Sequence, residues 1–295
     1  MTHQTLSQAI NRFTQIIQNV PDAELQRPWG WQSYDSEGIR FAFFRTHEEL
    51  RDLAVQLHQE RIRQGKPLTN AQKILGYYHA AYLDLRGALL GLEEKDFDLV
   101  PTNGEWPLRK ILAHIISADL GFYVVIKFAL EEHRQGRNQL NRVSKEDWIR
   151  LSGMDEAAFG TVMNGSIENL LAYYESLHQR TLAEFTGIQT EELDKLSIYW
   201  EKEPMSIQFR LQRFESHLRQ HTIQIDKTLA DLNHTPNEAK HLSRMIFSAR
   251  SEAESLLIGA NEIGEGLTNK LAQTVATRTN EIVHILNGPD GAQLR

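Results

Sequence analysis

SIQFRLQRFESHLRQHTIQIDKTLADL, residues 206–232, reads as one long amphipathic helix. Leu211, Phe214, Leu218, Ile225, Leu229 and Leu232 recur at helical spacing and form a buried stripe. At about 100° per residue, Arg210, His217, His221, Gln224 and Thr228 share one shoulder of that stripe. A polar line bordering a core suits a pocket between helices, and a row of half-exposed residues gives the same pattern.

His217 and His221 are four residues apart, so their Cβ atoms should lie about 5–6 Å apart on one face. Two imidazoles so placed can converge on one ion at metal–nitrogen distances of roughly 2.0–2.1 Å. Leu218 stands where a zinc protease would carry its glutamate base, so that pattern is absent.

Working outward, the same helical period covers most of the chain. Pro107 suits the start of a helix running to Glu132, with Leu108, Ile111, Ile115, Phe122 and Ile126 as its stripe and His114 to one side. Ala118 and Gly121 share His114's edge; their small side chains leave room for an ion and a ligand, or for close helix approach. Helices are also predicted over 5–19, 70–92 and 155–185. Thr46 with Glu49, Thr69 with Gln72, and Thr235-Pro236 with Glu238 resemble capping boxes, which would open helices near 47–64, 70–92 and 236–261.

Four of these helices, 70–92, 107–132, 155–185 and 206–232, have the lengths and stripes of a four-helix bundle. Residues 21–45, with PWGW, DSEG and the run IRFAFF, and residues 186–205 are read as extended or irregular segments. The long connection 133–154 has room for a short helix around Lys145–Leu151 and for shaping a pocket. The fold class is therefore all-α. An N-terminal extension (1–68) precedes the bundle (69–233), and a C-terminal helical hairpin or bent long helix (234–295) follows. In that tail Ile246, Ala249, Ala253, Leu256, Ala260, Ile263 and Leu267 trace an a/d seam that would pack on the bundle or on a second subunit.

Composition narrows the function. The balance of 39 acidic and 32 basic residues, net −7, with no long basic run, disfavours nucleic acid. The absence of cysteine excludes disulfides, thiolate ligands and a protein-borne thiol nucleophile. The start, MTHQTLSQAINRF, has no signal-peptide pattern, and no stretch reads as the ~20 apolar residues of a membrane span, so the expected location is cytoplasmic. Of the twelve histidines, His79, in GYYHAAY, reads as a hydrogen-bonded core residue.

The segment Glu105-Trp106-Pro-Leu-Arg-Lys-Ile-Leu-Ala-His114-Ile, followed by Arg213-Phe-Glu-Ser-His217-Leu-Arg-Gln220-His221-Thr-Ile-Gln224, resembles the DinB superfamily of helical-bundle metalloproteins over roughly residues 70–232. The resemblance implies an up-down-down-up four-helix bundle, a homodimer as a frequent assembly, and a divalent ion (zinc, nickel or iron) on His114, His217 and His221. Related groups act with low-molecular-weight thiols as cosubstrates. The fold also occurs in sulfoxide-forming iron enzymes, whose catalytic domains have no counterpart here. Two functions follow: a metal-dependent transferase or hydrolase acting on a small molecule, with Arg210, Arg213 and Gln224 as candidate substrate contacts, or a non-catalytic helical interaction or stress-response module.

Overall fold

The computed structural model describes residues 5–18, 20–102, 104–137 and 139–288. The first four residues of the amino-terminal segment and the last seven of the tail lie outside them. The chain divides into two compact units, one comprising residues 68–85 and 92–234 and the other residues 1–67, 86–91 and 235–295.

In chain order the helices are α1 (Leu6–Gln15), α2 (Ile39–Arg63), α3 (Asn70–Ala88), α4 (Leu108–Arg134), α5 (Lys145–Ser152), α6 (Glu156–Met163), α7 (Ile167–Phe185), α8 (Thr190–Leu193), α9 (Ile207–Asp231), α10 (Glu238–Ser255) and α11 (Glu265–Leu286). A two-stranded antiparallel hairpin, β1 (Leu196–Ser197) and β2 (Met205–Ser206), leads into α9. All-α is therefore the class.

In the unit containing residues 92–234, side-chain pairs fix the direction of each bundle helix. Gln72, His79 and Tyr82 of α3 meet Thr186, His178 and Glu175 in descending order, so α3 and α7 are antiparallel. Arg109, Asp119 and Lys127 of α4 meet Gly165, Tyr174 and Glu184 in ascending order, so α4 and α7 run parallel. Trp106, His114 and Phe122 meet Thr228, His217 and Phe214, which makes α4 and α9 antiparallel. The order is up-down-down-up.

Helix α4 is long and apolar enough to cross a membrane by length and composition alone. Here it is the bundle's core helix: Ile111, Leu112, Ile115, Ile116, Tyr123, Val124 and Ile126 are fully enclosed. Asp119 is also fully buried, and its Oδ2 accepts from the hydroxyls of Tyr78 (2.9 Å) and Tyr174 (2.8 Å). Burial raises its pKa to about 7 against the lowering effect of those two hydrogen bonds. His79 is a core residue; its Nδ1 lies 3.0 Å from His178 Nε2.

The expected helix 155–185 is two helices, α6 and α7. Asn164-Gly165-Ser166 breaks it, with the Ser166 side chain capping α7 through Asn169 N–H. Ser206 caps α9 in the same way through Phe209 N–H.

The other unit contains a second four-helix arrangement, in which α10 and α11 pair with the N-terminal helices α2 and α1 respectively. The tail is two helices joined by a short connection, and both pack on the N-terminal helices. Gly259 (φ 74°) and a 3-10 turn at Asn261–Gly264 separate α10 from α11. The seam residues Ile246, Ala249 and Ala253 bury against a core that includes Ile10, Phe13, Phe43, Leu50 and Leu57. Phe13 and Phe43 stack at 4.2 Å.

Two capping expectations fail here. IRFAFF is the first turn and a half of α2, and Thr46 lies inside that helix, its hydroxyl bonded to Ala42 O. The true start is Gly38 (φ 68°), where a Cβ would sit 2.7 Å from the backbone of Gln26 and Arg27. Helix α10 is capped by Asn237, whose side chain accepts from Lys240 N–H, two residues beyond Thr235. The capping box at Thr69 and Gln72 is present in both directions.

Candidate metal centre

The antiparallel pairing of α4 and α9 brings His114, from the second turn of α4, opposite His217 and His221 on successive turns of α9. Nε2 of His217 lies 3.2 Å from Nε2 of His114 and 3.1 Å from Nε2 of His221. One ligand atom from each of the three falls within 4.8 Å of the other two. Two nitrogens bound to one ion at about 2.0–2.1 Å, with an angle between octahedral and tetrahedral, stand roughly 2.8–3.4 Å apart. The two spacings about His217 fall in that interval, so the donor set suits a divalent ion.

His217 and His221 are each only 7% exposed, while His114 is solvent-exposed. The centre is walled by protein on one side and open on the other. Phe122 presents its edge to His217 at 5.8 Å, and Trp106 its edge to His114 at 5.6 Å. Burial, the neighbouring imidazoles of His221 and His114, and the Arg213 cation hold the pKa of His217 at about 3. Burial, then His221, lowers that of His114. Both rings are neutral at pH 7, the form that donates a lone pair to a metal.

A second layer of residues holds the His221 ring. His221 Nδ1 lies 2.8 Å from Gln224 Oε1, and Gln224 Nε2 donates to Glu105 Oε2 at 2.9 Å. Lys227 pairs with the other Glu105 oxygen. The hydrogen bonds from Lys227 and Gln224 depress the Glu105 carboxyl below its usual range. With the Gln224 carbonyl turned toward His221, the imidazole proton belongs on Nδ1 and the lone pair on Nε2, facing the other two histidines. Gln224, singled out as a substrate contact, is placed here as an orienting residue. The part played by Glu105 and Lys227 was missed, although Glu105 opens the motif segment. Its link to Gln224 spans 119 positions, which no local spacing reveals.

Arg210 and Arg213 occupy different environments. Arg210 is fully buried: it donates to Ser197 Oγ (3.2 Å) and pairs with Glu201, tying the β1–β2 hairpin to α9. Arg213 is half-buried, its guanidinium 6.0 Å from the Phe122 ring. Gly121 does not leave room for an ion. A Cβ there would lie 2.0 Å from the Tyr199 hydroxyl, so the glycine admits Tyr199 against α4.

The fold and this cluster define a helical-bundle protein with a three-histidine centre. The model of the DinB superfamily matches residues 77–225, and the chain belongs to that superfamily. A protein of Bacillus cereus (strain ATCC 10987 / NRS 248), named "Putative metal-dependent hydrolase", is 23% identical over 150 residues, covering 51% of this chain and 80% of the relative. Proteins with the same descriptive name from B. cereus (strain 03BB102) and Bacillus thuringiensis subsp. konkukian (strain 97-27) match at the same identity and coverage. No solved structure matches the chain significantly.

Proposed function

We propose that this protein is a divalent-metal-dependent hydrolase of a small molecule, with His114, His217 and His221 as the metal ligands. The observation that carries this reading is the convergence of three imidazoles, with His217 Nε2 3.2 Å from His114 Nε2 and 3.1 Å from His221 Nε2, and one side open to solvent. The names of the Bacillus relatives support it.

A divalent ion here would supply Lewis acidity, lowering the pKa of a bound water and polarising a substrate carbonyl. The chain's own contribution is positional. Gln224, held by Glu105 and Lys227, keeps the lone pair of His221 pointed inward. Phe122 and Trp106 cover the rings from the side, and the exposed edge at His114 admits the substrate. A low-molecular-weight thiol entering at the same edge would turn hydrolysis into thiol transfer. The chain has no cysteine of its own to supply the sulfur.

The test is elemental analysis of untagged protein, followed by a panel of ester, amide and thioester substrates with and without added thiol. The expected outcome is about one transition-metal ion per chain and an activity lost on chelation and restored by zinc, nickel or iron. Absence of stoichiometric metal after reconstitution would overturn the proposal.

A further inference from the structure

The bundle unit contains a cavity of about 400 Å³ between α4, α5 and α6. Its size lies in the range of small-molecule sites, roughly 300–1,000 Å³. Leu120 of α4, Trp148 and Ile149 of α5, Met154 of the α5–α6 turn and Phe159 of α6 give it apolar walls. Trp148, Met154 and Phe159 are only half-buried, although residues of this kind in a bundle ordinarily finish in the core.

The polar groups at the cavity give it no charge preference. Ser144 and Asp155 are occupied as the N-caps of α5 and α6, accepting from Asp147 N–H and Ala158 N–H. Lys145 and Glu156, both exposed, oppose each other in sign. Such a site selects on apolar shape.

Its position connects it to the three histidines. Ser117 lines the cavity and lies three residues from His114, so the two are neighbours on α4, about 5–6 Å apart at Cβ and about 60° apart around the helix. Both are exposed. The segment that forms the cavity's far wall is anchored near the same edge: Arg142 donates to the backbone carbonyls of Tyr199 and Glu201, and Tyr199 packs on Gly121.

We infer that this cavity is the specificity subsite of the metal centre, and that the substrate carries an uncharged aryl or medium-length alkyl group joined through a short alkyl chain to the reacting carbonyl. The inference rests on the metal-dependent reading above. A group bound between Trp148 and Phe159 would have its chain pass Ser117 and its carbonyl reach the open side of His114. Burial of a phenyl-sized group should tighten binding by about 10- to 100-fold.

The experiment uses full-length, metal-loaded protein and two metal-chelating probes, acetohydroxamate and 4-phenylbutyrohydroxamate, titrated calorimetrically. The expected result is 10- to 100-fold tighter binding of the phenyl probe, with the ratio of the two affinities reduced at least fivefold in Phe159→Ala and in Trp148→Ala. A ratio near one in the wild type, or a ratio unchanged in both variants, overturns the inference. A tail series of one, three and five carbons on the wild type gives the same reading without any variant, and a flat series overturns it. If neither hydroxamate binds, the metal reading has failed, and the cavity is tested separately on metal-free protein with 4-phenylbutan-1-ol. A saturable change in tryptophan emission that disappears in Trp148→Phe supports the cavity as a ligand site, and no saturable change rejects it.

Discussion

The two units differ in the polar groups they bring together in their interiors. In the unit built from α1, α2, α10 and α11, each buried arginine ends on an acceptor of another kind. Arg61 donates to the carbonyls of Lys66, Leu256 and Ile258, and Arg278 to Glu49 through two bonds of 2.8 and 3.0 Å. In the bundle unit Arg210 likewise meets Glu201, but imidazoles there also face one another. Three imidazoles converge, and a second pair of imidazoles meets at 3.0 Å. Complementary partners complete a structure. A cluster of three imidazoles has the composition of a divalent-cation site.

The largest expected effect that would sharpen this contrast is at the centre itself. His217→Ala should remove stoichiometric metal and reduce hydrolysis to background; elemental analysis that finds the metal retained would place the ion elsewhere. Next comes the apolar core of the other unit. Phe43→Ala should cost about 3–5 kcal/mol in denaturant unfolding of its unit, because the Phe13 stack cannot collapse into the space. Metal content of the folded fraction should stay at the wild-type level, and a parallel loss of metal would break the contrast.

Gln224→Leu should weaken metal affinity about 10- to 100-fold in a competition assay, since it frees the His221 ring while keeping all three ligands. The effect at Asp119 is spread over pH and is small within any one pH unit. Its folded pKa of about 7 lies above the ordinary value of 3.8, so its contribution to stability is fully present below pH 3.8 and is lost as pH rises through 7. Asp119→Asn should remove up to about 1.4 kcal/mol per pH unit of that slope between pH 4 and 7, as read from urea midpoints. An unchanged slope would show that the carboxyl titrates normally.

Much of the bundle was legible in the sequence. Its helices are long, and the period of α4 and α9 is clean. The three histidines could be picked out from their place beside the stripes and the matching motif. The IRFAFF run misled because α2 is apolar on two faces. Ile39, Ala42, Phe43 and Thr46 face the core, while Phe41 packs on Trp29, Trp31 and Tyr34, so a helix carries the continuous apolar run of a strand. The site's supporting residues were hidden for a different reason. Glu105 reaches Gln224, and Tyr199 reaches Gly121, only after helices far apart in the chain have paired. Gly121 in particular looks the same in sequence whether it admits an ion or a tyrosine.

The pairing of α1 with α11 and of α2 with α10 bears on the order of events during synthesis. The N-terminal helices leave the ribosome first, yet their partners are encoded after the whole bundle; Arg12 meets Asn280 across 268 positions. Contacts this distant raise the contact order and slow the step that forms them. The bundle can therefore mature while α1 and α2 still wait with their apolar faces uncovered, an interval in which a chaperone would find its binding surface on residues 5–63.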